Sequence, residues 1–274
     1  MEIYNINKET IKWENVEKFP IFKKLMKINF KNQNVFYSTK NFTEDVLNLK
    51  IFELTKMIFA YAALLCNTGM TNKISKDEYG KKSINNTSIE SAKIAKQFLE
   101  KNLDTIPEVK EAIVRVIRYH QNLMTIFKMA DVDQAMLKLI NNLRIISIDE
   151  LIAFEKLYIK HFGDKNKIDY QYSVLENLRN LYYSCYAFKA GELVKITKIG
   201  VAKDSPYREN NHPNAINTGY ETVGVIIRPI TVGMTALIDN FRTSTVTKIV
   251  SKCEFETLNS IYKLEPLNFF NNEN

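Results

Sequence analysis

The stretch Ala63-Leu64-Leu65-Cys66-Asn67-Thr68-Gly69-Met70 decides how the first half of this 274-residue chain is interpreted. An apolar run typical of a buried helix ends in the polar pair Cys66-Asn67, and a Thr-Gly turn follows. Helix ends of this layout bind metal ions when the pair is histidine and aspartate, because neutral imidazole and carboxylate hold divalent ions. An amide is a poor ligand, and a single thiol selects other metals. The stretch therefore predicts a helical frame with no metal site and no cofactor.

Helical spacing of apolar residues extends on both sides of this stretch, from about residue 45 to residue 188. One predicted stripe follows steps of three and four through Leu47, Ile51, Leu54, Ile58, Ala62 and Leu65. Helix start and stop signals predict the later helices. They are a capping box at Thr87–Glu90, Pro107 in a first turn, Asp131 or Asp133 as a cap, a second capping box at Ser147–Glu150, and a stop at Gly163.

After Gly191 the apolar pattern changes to short β-branched runs of strand length. Strands are predicted at 193–199, 222–227, 234–238, 245–250 and 261–264, whereas Phe241–Ser244 and Phe255–Ser260 are interpreted as turns and strand ends. Five short strands favour a small antiparallel barrel, since closure protects the strand edges. The predicted class is α+β, with a helical domain over 1–188, a β-barrel domain over 189–267 and a disordered tail over 268–274.

Composition is that of a globular protein, with 45% hydrophobic and 25% charged residues. No apolar run approaches the ~20 residues that span a bilayer, so no membrane association is expected. The N-terminus lacks the basic start and apolar stretch of a secretion signal. Cys66, Cys185 and Cys253 are odd in number and far apart, which predicts a reducing cytoplasm and no disulfide framework. The abundance of Asn, Lys and Ile suggests an AT-rich genome such as that of a bacteriophage.

The net charge of +7 permits an anionic partner. Its distribution is diffuse: residues 187–274 contain ten Lys and Arg against nine Asp and Glu, and residues 1–60 contain ten against seven. A nucleic-acid surface usually concentrates its charge. Along the sequence, the pattern therefore favours a protein partner over RNA or DNA while leaving both classes open.

The order of helical motifs resembles that of HD-domain metal-dependent phosphohydrolases. Residues 63–70 match the Ala-Leu-Leu-His-Asp-Ile-Gly-Lys signature of that family position for position. Thr87–Ala95 is similar to its Gly-His-Glu-rich helix start, Val114–His120 to its Val-Arg-Tyr-His helix, and Phe19–Leu47 to the lead-in of its first histidine helix. The resemblance spans Phe19 to Gly163. The most similar members look like the HD regions of tRNA nucleotidyltransferases and bacteriophage RNA-repair proteins.

In that family, histidines and aspartates bind a divalent ion that activates water against a phosphate ester. The resemblance places the first histidine at Leu49 or Asn48, the pair at Cys66 and Asn67, a later histidine at Thr87 and the terminal aspartate near Tyr158. Only His120 retains the family residue. The resemblance thus implies a vestigial cleft formed by Cys66, Asn67, Thr87 and His120, with the metal ligands lost.

Each of these four residues also has a structural interpretation. Cys66 is explained as a small buried hydrophobe, Asn67 as a partner of the Thr68-Gly69 turn, Thr87 as a helix cap and His120 as a satisfied core histidine. A thiol triad of Cys66, His120 and an acid such as Glu90 is a further alternative.

The polar stretch from Ala202 to Gly219 is the one long loop between predicted strands. Lys203, Tyr207, Arg208 and His212 are its candidate binding residues, because tyrosine and arginine stack on bases and cations grip phosphate. A plain flexible loop explains the same composition.

These observations predict a non-catalytic HD-like scaffold joined to a β-barrel, acting as a binding module for a protein or a nucleic acid. The alternative is an HD-type phosphohydrolase that acts on nucleotides or RNA ends through a rearranged site. Its candidate residues are His120, Asp45, Asp131 and Glu90.

Overall fold

The computed structural model describes residues 12–71, 87–185, 189–205 and 216–267, with the backbone alone of residues 75–76, 82–83 and 184–185. Helices occupy the N-terminal part and strands the C-terminal part, which confirms the predicted α+β class. The predicted tail 268–274 lies outside the described residues. Within these ranges the α-helices are α1 (Trp13–Val16), α2 (Pro20–Leu25), α3 (Val35–Leu47), α4 (Glu53–Leu65), α5 (Thr87–Asn102), α6 (Pro107–Tyr119), α7 (Val132–Leu143), α8 (Ile148–Phe162) and α9 (Ile168–Cys185).

Several helix boundaries follow the signals in the sequence. Pro107 occupies the first turn of α6, where its missing N–H costs no hydrogen bond. The Asp131 side chain caps α7 by accepting a hydrogen bond of 2.8 Å from the backbone N–H of Gln134. Helix α8 ends at Phe162, directly before Gly163. None of the helices in the described ranges contains a stretch both long and apolar enough to traverse a lipid bilayer.

The predicted apolar stripe from Leu47 to Leu65 is wrong as a single helix. Helix α3 ends at Leu47 and α4 begins at Glu53, so the stripe crosses a break in the backbone. Phe52 at this break has a non-helical backbone, with φ −55° and ψ 139°, and is 82% exposed. Apolar residues happen to keep a spacing of three and four across the break. The residues between the two helices include no glycine or proline, so no helix-breaking residue marks the break in the sequence. Apolar periodicity therefore could not locate the end of α3.

Helix α4 forms the centre of the helical core. Every residue from Ile58 to Leu65 is buried, as expected for a helix that is apolar on all sides. Gly69, in the 3₁₀ helix Thr68–Thr71 that follows, packs against α5, and its N–H donates a hydrogen bond of 2.8 Å to Oγ of Ser91. A Cβ at Gly69 would lie 2.5 Å from the carbonyl oxygen of Thr87, so only glycine permits this approach.

A two-residue hairpin connects α2 to α3. Strands β1 (Asn29–Phe30) and β2 (Gln33–Asn34) pair in antiparallel orientation, and Lys31 and Asn32 form the turn with φ of 50° and 62°. Positive φ at both positions is the backbone pattern of turns that match the twist of a hairpin. The Oδ1 of Asn34 then caps α3 by accepting hydrogen bonds from the N–H groups of Phe36 and Tyr37.

The C-terminal strands form one curled, antiparallel six-stranded half-barrel. Two short strands earlier in the chain, β3 (Ser75–Lys76) and β4 (Lys82–Ser83), pair with each other. The strands of the half-barrel are β5 (Leu193–Val201), β6 (Glu221–Val225), β7 (Thr235–Ile238), β8 (Phe241–Ile249), β9 (Glu254–Thr257) and β10 (Ser260–Pro266). The strand order is β6-β5-β10-β9-β8-β7. One bridge between Ile226 and Ile238 joins the two edges.

The strand prediction needs two corrections. Phe241–Ser244, interpreted as a turn, is the first half of β8, because the turn lies one step earlier at Asp239 and Asn240. Glu254–Thr257 forms an additional strand that pairs with both β8 and β10. It was missed because a strand of four residues with two glutamates offers only Phe255 and Thr257 as buried positions.

The chain divides into two compact units, of which the first comprises Met1–Thr125 and Asp149–Leu175, and the second comprises Ile126–Ile148 and Glu176–Asn274. Helix α7 therefore belongs with the sheet. The Asn141 amide explains the association, because it accepts a hydrogen bond of 2.8 Å from the Ile249 N–H and donates one of 3.0 Å to the Ile249 carbonyl. The division does not follow the change from helices to strands near residue 189.

Candidate functional site

Cys66 and Asn67, the polar pair at the end of α4, are both buried inside the first unit. Cys66 is 4% exposed and donates a hydrogen bond from Sγ to the carbonyl of Ala63 at 3.3 Å. Burial, with a smaller contribution from the nearby Glu155 carboxylate, raises the pKa of the Cys66 thiol. A raised pKa keeps the sulfur protonated, whereas a nucleophile or metal ligand must be a thiolate.

Asn67 contacts a different part of the fold from the one expected. Its Nδ2 donates a hydrogen bond of 3.3 Å to Oγ1 of Thr39 on α3, rather than bonding the Thr68-Gly69 turn. The turn is held instead by Oγ1 of Thr68, which donates to the Leu65 carbonyl at 2.7 Å. Oδ1 of Asn67 is buried and accepts no hydrogen bond from the described residues.

His120 lies at the end of α6 and is completely buried. Its Nδ1 is 2.6 Å from Oε2 of Glu155 on α8, and Glu155 is 2% exposed. Burial raises the pKa of Glu155, and the neighbouring imidazole opposes that rise. Nε2 of His120 has no hydrogen-bond partner among the described residues.

Glu155 belongs to this site although no motif in the sequence marks it. It lies one helical turn before Tyr158, the position where the resemblance placed the terminal aspartate. Tyr158 is half-buried, its ring centroid is 4.6 Å from that of His120, and its hydroxyl accepts a hydrogen bond of 3.0 Å from Nε2 of Gln121. Burial, followed by the charges of Cys66 and Glu155, raises the pKa of the Tyr158 hydroxyl well above its usual value of 10.

Cys66, His120, Glu155 and Tyr158 therefore interact with one another, and we call these four residues the buried polar cluster. Thr87, at 9% exposure, begins α5. The donors at the resemblance positions do not fit a divalent ion: they are a protonated thiol, an amide, a hydroxyl and a phenol, with half-buried Leu49 beyond the end of α3. Among the described side chains, no three histidine, cysteine, aspartate or glutamate residues lie close enough to share a metal ion.

The residues of the alternative enzyme site lie in several environments. Asp45 on α3 interacts with Lys160 and His161 on α8, with distances of 2.7 and 2.8 Å from its Oδ2. Asp131 is the cap of α7 in the second unit. Glu90 lies 3.6 Å from Lys93 on its own helix. The acid that contacts His120 is thus Glu155.

Of the four candidate binding residues in the loop after β5, only Lys203 falls in the described part, where it is exposed. Tyr207, Arg208 and His212 lie outside the described residues.

A surface feature with no local signal in the sequence lies between the β1–β2 hairpin and the end of α8. Two adjoining depressions of about 580 and 460 Å³ share Gln33, Ser38, Lys160, His161 and Lys165. We call them together the basic groove. Three lysines, Lys31, Lys160 and Lys165, line it with one acid, Asp164, and a second acid, Asp45, is paired with Lys160 at 2.7 Å, which gives a formal charge of +1 with His161 neutral.

The sequence could not reveal this groove because its walls come from residues 30–41 and 160–165, more than a hundred residues apart. Lys31 joins the walls by donating a hydrogen bond of 3.1 Å to the carbonyl of Phe162, at the end of α8.

Comparison of the chain with protein-family models, with curated proteins and with solved structures finds no match.

Proposed function

We propose that this chain is a non-catalytic binding module, in which a degenerate HD-like helical frame acts as a scaffold. The observation that carries the proposal is the buried contact between His120 and Glu155. The only residue that keeps its family identity directs Nδ1 at a core carboxylate 2.6 Å away, and neither side chain is accessible to a substrate. A catalytic acid or base must reach a substrate proton within hydrogen-bond distance.

The environment of Cys66 supports the same conclusion. A thiol triad would need a thiolate hydrogen-bonded to the imidazole, whereas Sγ donates to a backbone carbonyl and its pKa is raised. The four members of the buried polar cluster interact with one another in the core. We infer that they join α4, α6 and α8 and thereby hold the scaffold together.

We also propose that the module acts in the cytoplasm and binds a protein or a nucleic acid. Cys66 and Cys253 are both free thiols, as is usual in a reducing compartment. The binding surfaces are then the exposed parts of either unit rather than the vestigial cleft.

Hydrolysis assays on the full chain test this proposal. A panel of nucleoside monophosphates and a generic phosphodiester is incubated with Mn²⁺, Mg²⁺, Co²⁺ or Zn²⁺, and we expect no turnover above the protein-free rate. Metal-dependent turnover that is lost in both His120→Ala and Glu155→Gln would overturn the proposal and favour the phosphohydrolase alternative. Circular dichroism of both variants establishes that they are folded.

A gain-of-function variant gives an independent test. Cys66→His combined with Asn67→Asp restores the sequence of the pair, but Leu49, Thr87 and Tyr158 still supply no metal ligand. We expect this double variant to remain inactive with every metal. Metal-dependent hydrolysis by it would show that the other positions have been matched to the family incorrectly.

A further inference from the structure

We propose that the basic groove binds the phosphodiester backbone of single-stranded nucleic acid. Lys160 and Lys165 are exposed and lie in both depressions, and Lys31 is exposed in the larger one. Lys165 makes no hydrogen bond or ion pair with the described residues, so its ammonium is available to a ligand. The lining contains one acid, Asp164, whose Oδ1 accepts a hydrogen bond of 3.1 Å from the N–H of Asn166, and the three lysines outnumber it.

The cations of the groove are positioned by the fold. Lys31 spans the two walls through its hydrogen bond to the Phe162 carbonyl and also lies over the Phe30 ring at 5.2 Å. Asp45 holds Lys160 and His161 from α3, although Lys160 remains 57% exposed along its side chain. Side chains that are already ordered lose less conformational entropy on binding. The groove is therefore arranged for an anion before the ligand arrives.

Aromatic and amide side chains accompany the lysines and favour a nucleic acid over an acidic peptide. Tyr37 is 63% exposed and lines the smaller depression together with Asn41. Asn32 and Gln33, both exposed, line the larger one. Exposed aromatic rings beside a cationic track stack on bases, and amides pair with base edges. An acidic peptide would use the lysines but would leave the tyrosine and the amides without a role.

The shape of the groove favours a strand over a single nucleotide. The two depressions are open and continue into each other through Lys160, His161 and Lys165. A small ligand is normally enclosed on most of its surface. An open, continuous surface of this kind accommodates several successive phosphates.

The inference deepens the proposed function by naming the partner class of the scaffold, and the two can fail separately. Fluorescence anisotropy of the full chain with labelled oligo(U) and oligo(dT) measures affinity, and gel analysis of the recovered oligonucleotide with Mn²⁺ measures cleavage. If the protein neither binds nor cleaves the oligonucleotide, the assignment of the groove is wrong and the proposed function still stands. Cleavage of the oligonucleotide removes the proposed function.

Salt dependence with matched lysine variants tests the electrostatic part. Three phosphate contacts predict a slope of log K against log salt of about −2 for a single strand. Lys165→Ala should reduce the magnitude of that slope by about 0.7, because one lysine that neutralises a phosphate is removed. Lys96→Ala on α5, which removes a lysine that is also exposed but does not line the groove, should leave the slope unchanged. Equal effects of the two variants would overturn the assignment.

Tyrosine variants test the stacking part. Tyr37→Ala should weaken oligo(U) binding by at least about fivefold, whereas Tyr170→Ala, a tyrosine of similar exposure at 66%, should not change it. Equal effects of the two variants would contradict the proposal. A competition assay gives a second test, in which poly-glutamate and unlabelled oligo(U) are added at matched charge to displace labelled oligo(U). If poly-glutamate displaces the labelled strand as effectively as oligo(U) does, the proposal is contradicted and an acidic protein partner is favoured.

Discussion

Nδ1 of His120 lies 2.6 Å from Oε2 of Glu155, in a contact that joins the end of α6 to the middle of α8. Both side chains are almost fully removed from water, and the Phe154 ring packs against the imidazole with centroids 5.5 Å apart. A buried pair of this kind is costly to break, because removal of one partner leaves the other without compensation. The contact therefore links His120 and Glu155 to the stability of the helical unit.

Glu155→Ala should lower the free energy of unfolding by about 3–5 kcal/mol, as expected when one partner of a buried pair is removed. Glu155→Gln should cost less, because its amide oxygen can still accept a hydrogen bond from the imidazole. Urea denaturation followed by circular dichroism measures both. The matched control is Glu53→Ala, which removes a carboxylate that is 72% exposed and paired with Lys56. If Glu155→Ala lowers the free energy of unfolding no more than Glu53→Ala does, the pair of His120 and Glu155 has no structural role.

The ion pairs of Asp45 should make the stability of the folded protein depend on pH in the acid range. Its hydrogen bond from Lys160, supported by His161, holds the pKa of the Asp45 carboxyl below its ordinary value of 3.8 despite partial burial. A lowered pKa in the folded state stabilises the protein above the ordinary value, and this stabilisation is lost as pH falls through the folded value.

Wild type should therefore exceed Asp45→Asn in stability at about pH 5, and the difference should shrink as the pH falls below the ordinary pKa of the carboxyl and through its lowered value in the folded state. The effect should stay below about 1 kcal/mol, since the pair is partly exposed. Denaturation midpoints at several pH values measure it. A difference that does not change across this pH range would contradict the assignment.

Gly69→Ala should destabilise the helical unit by about 1–3 kcal/mol, as overpacking in a core does. The added Cβ would lie 2.5 Å from the Thr87 carbonyl oxygen and 2.7 Å from the Ser91 nitrogen, and both are backbone atoms that cannot rotate away. Gly200→Ala is the control, because the nearest atom to its Cβ is 3.9 Å away. Thermal denaturation of the two variants is the measurement, and equal melting temperatures would contradict the packing described for Gly69.

Cys66 should resist alkylation in the native protein. Its thiol is buried and its pKa is raised, whereas Cys253 is partly exposed. Iodoacetamide labelling at mildly alkaline pH, read peptide by peptide in a mass spectrometer, should modify Cys253 well before Cys66. In denaturant the two rates should converge. Native labelling of Cys66 as fast as that of Cys253 would mean that the region around Cys66 is open to solvent.

The sequence predicted those parts of the fold that depend on local chemistry. Pro107 and Asp131 mark helix starts and Gly163 marks a helix end, each through a local effect that needs no distant partner. The break between α3 and α4 carried no such mark. Strand β9 escaped prediction because its pairing with β8 and β10, rather than its own pattern, makes it a strand.

The site was less predictable because its residues meet only in three dimensions. Glu155 reads as a surface glutamate on an amphipathic helix, and only the packing of α8 against His120 makes it a core residue. The basic groove likewise combines Lys31 with Lys160 and Lys165, so a charge count along the chain misses it. The HD-like resemblance of residues 19–163 stays a prediction.

Metal content of the full chain tests the central claim most directly. The protein is produced in medium supplied with manganese, iron and zinc, treated with mild chelator, and analysed by inductively coupled plasma mass spectrometry. Because the residues near His120 and Asn67 form a closed core rather than a ligand set, the metal content should be far below one ion per chain and unchanged in Glu155→Gln. One bound ion per chain that survives chelation, and that Glu155→Gln removes, would contradict the account.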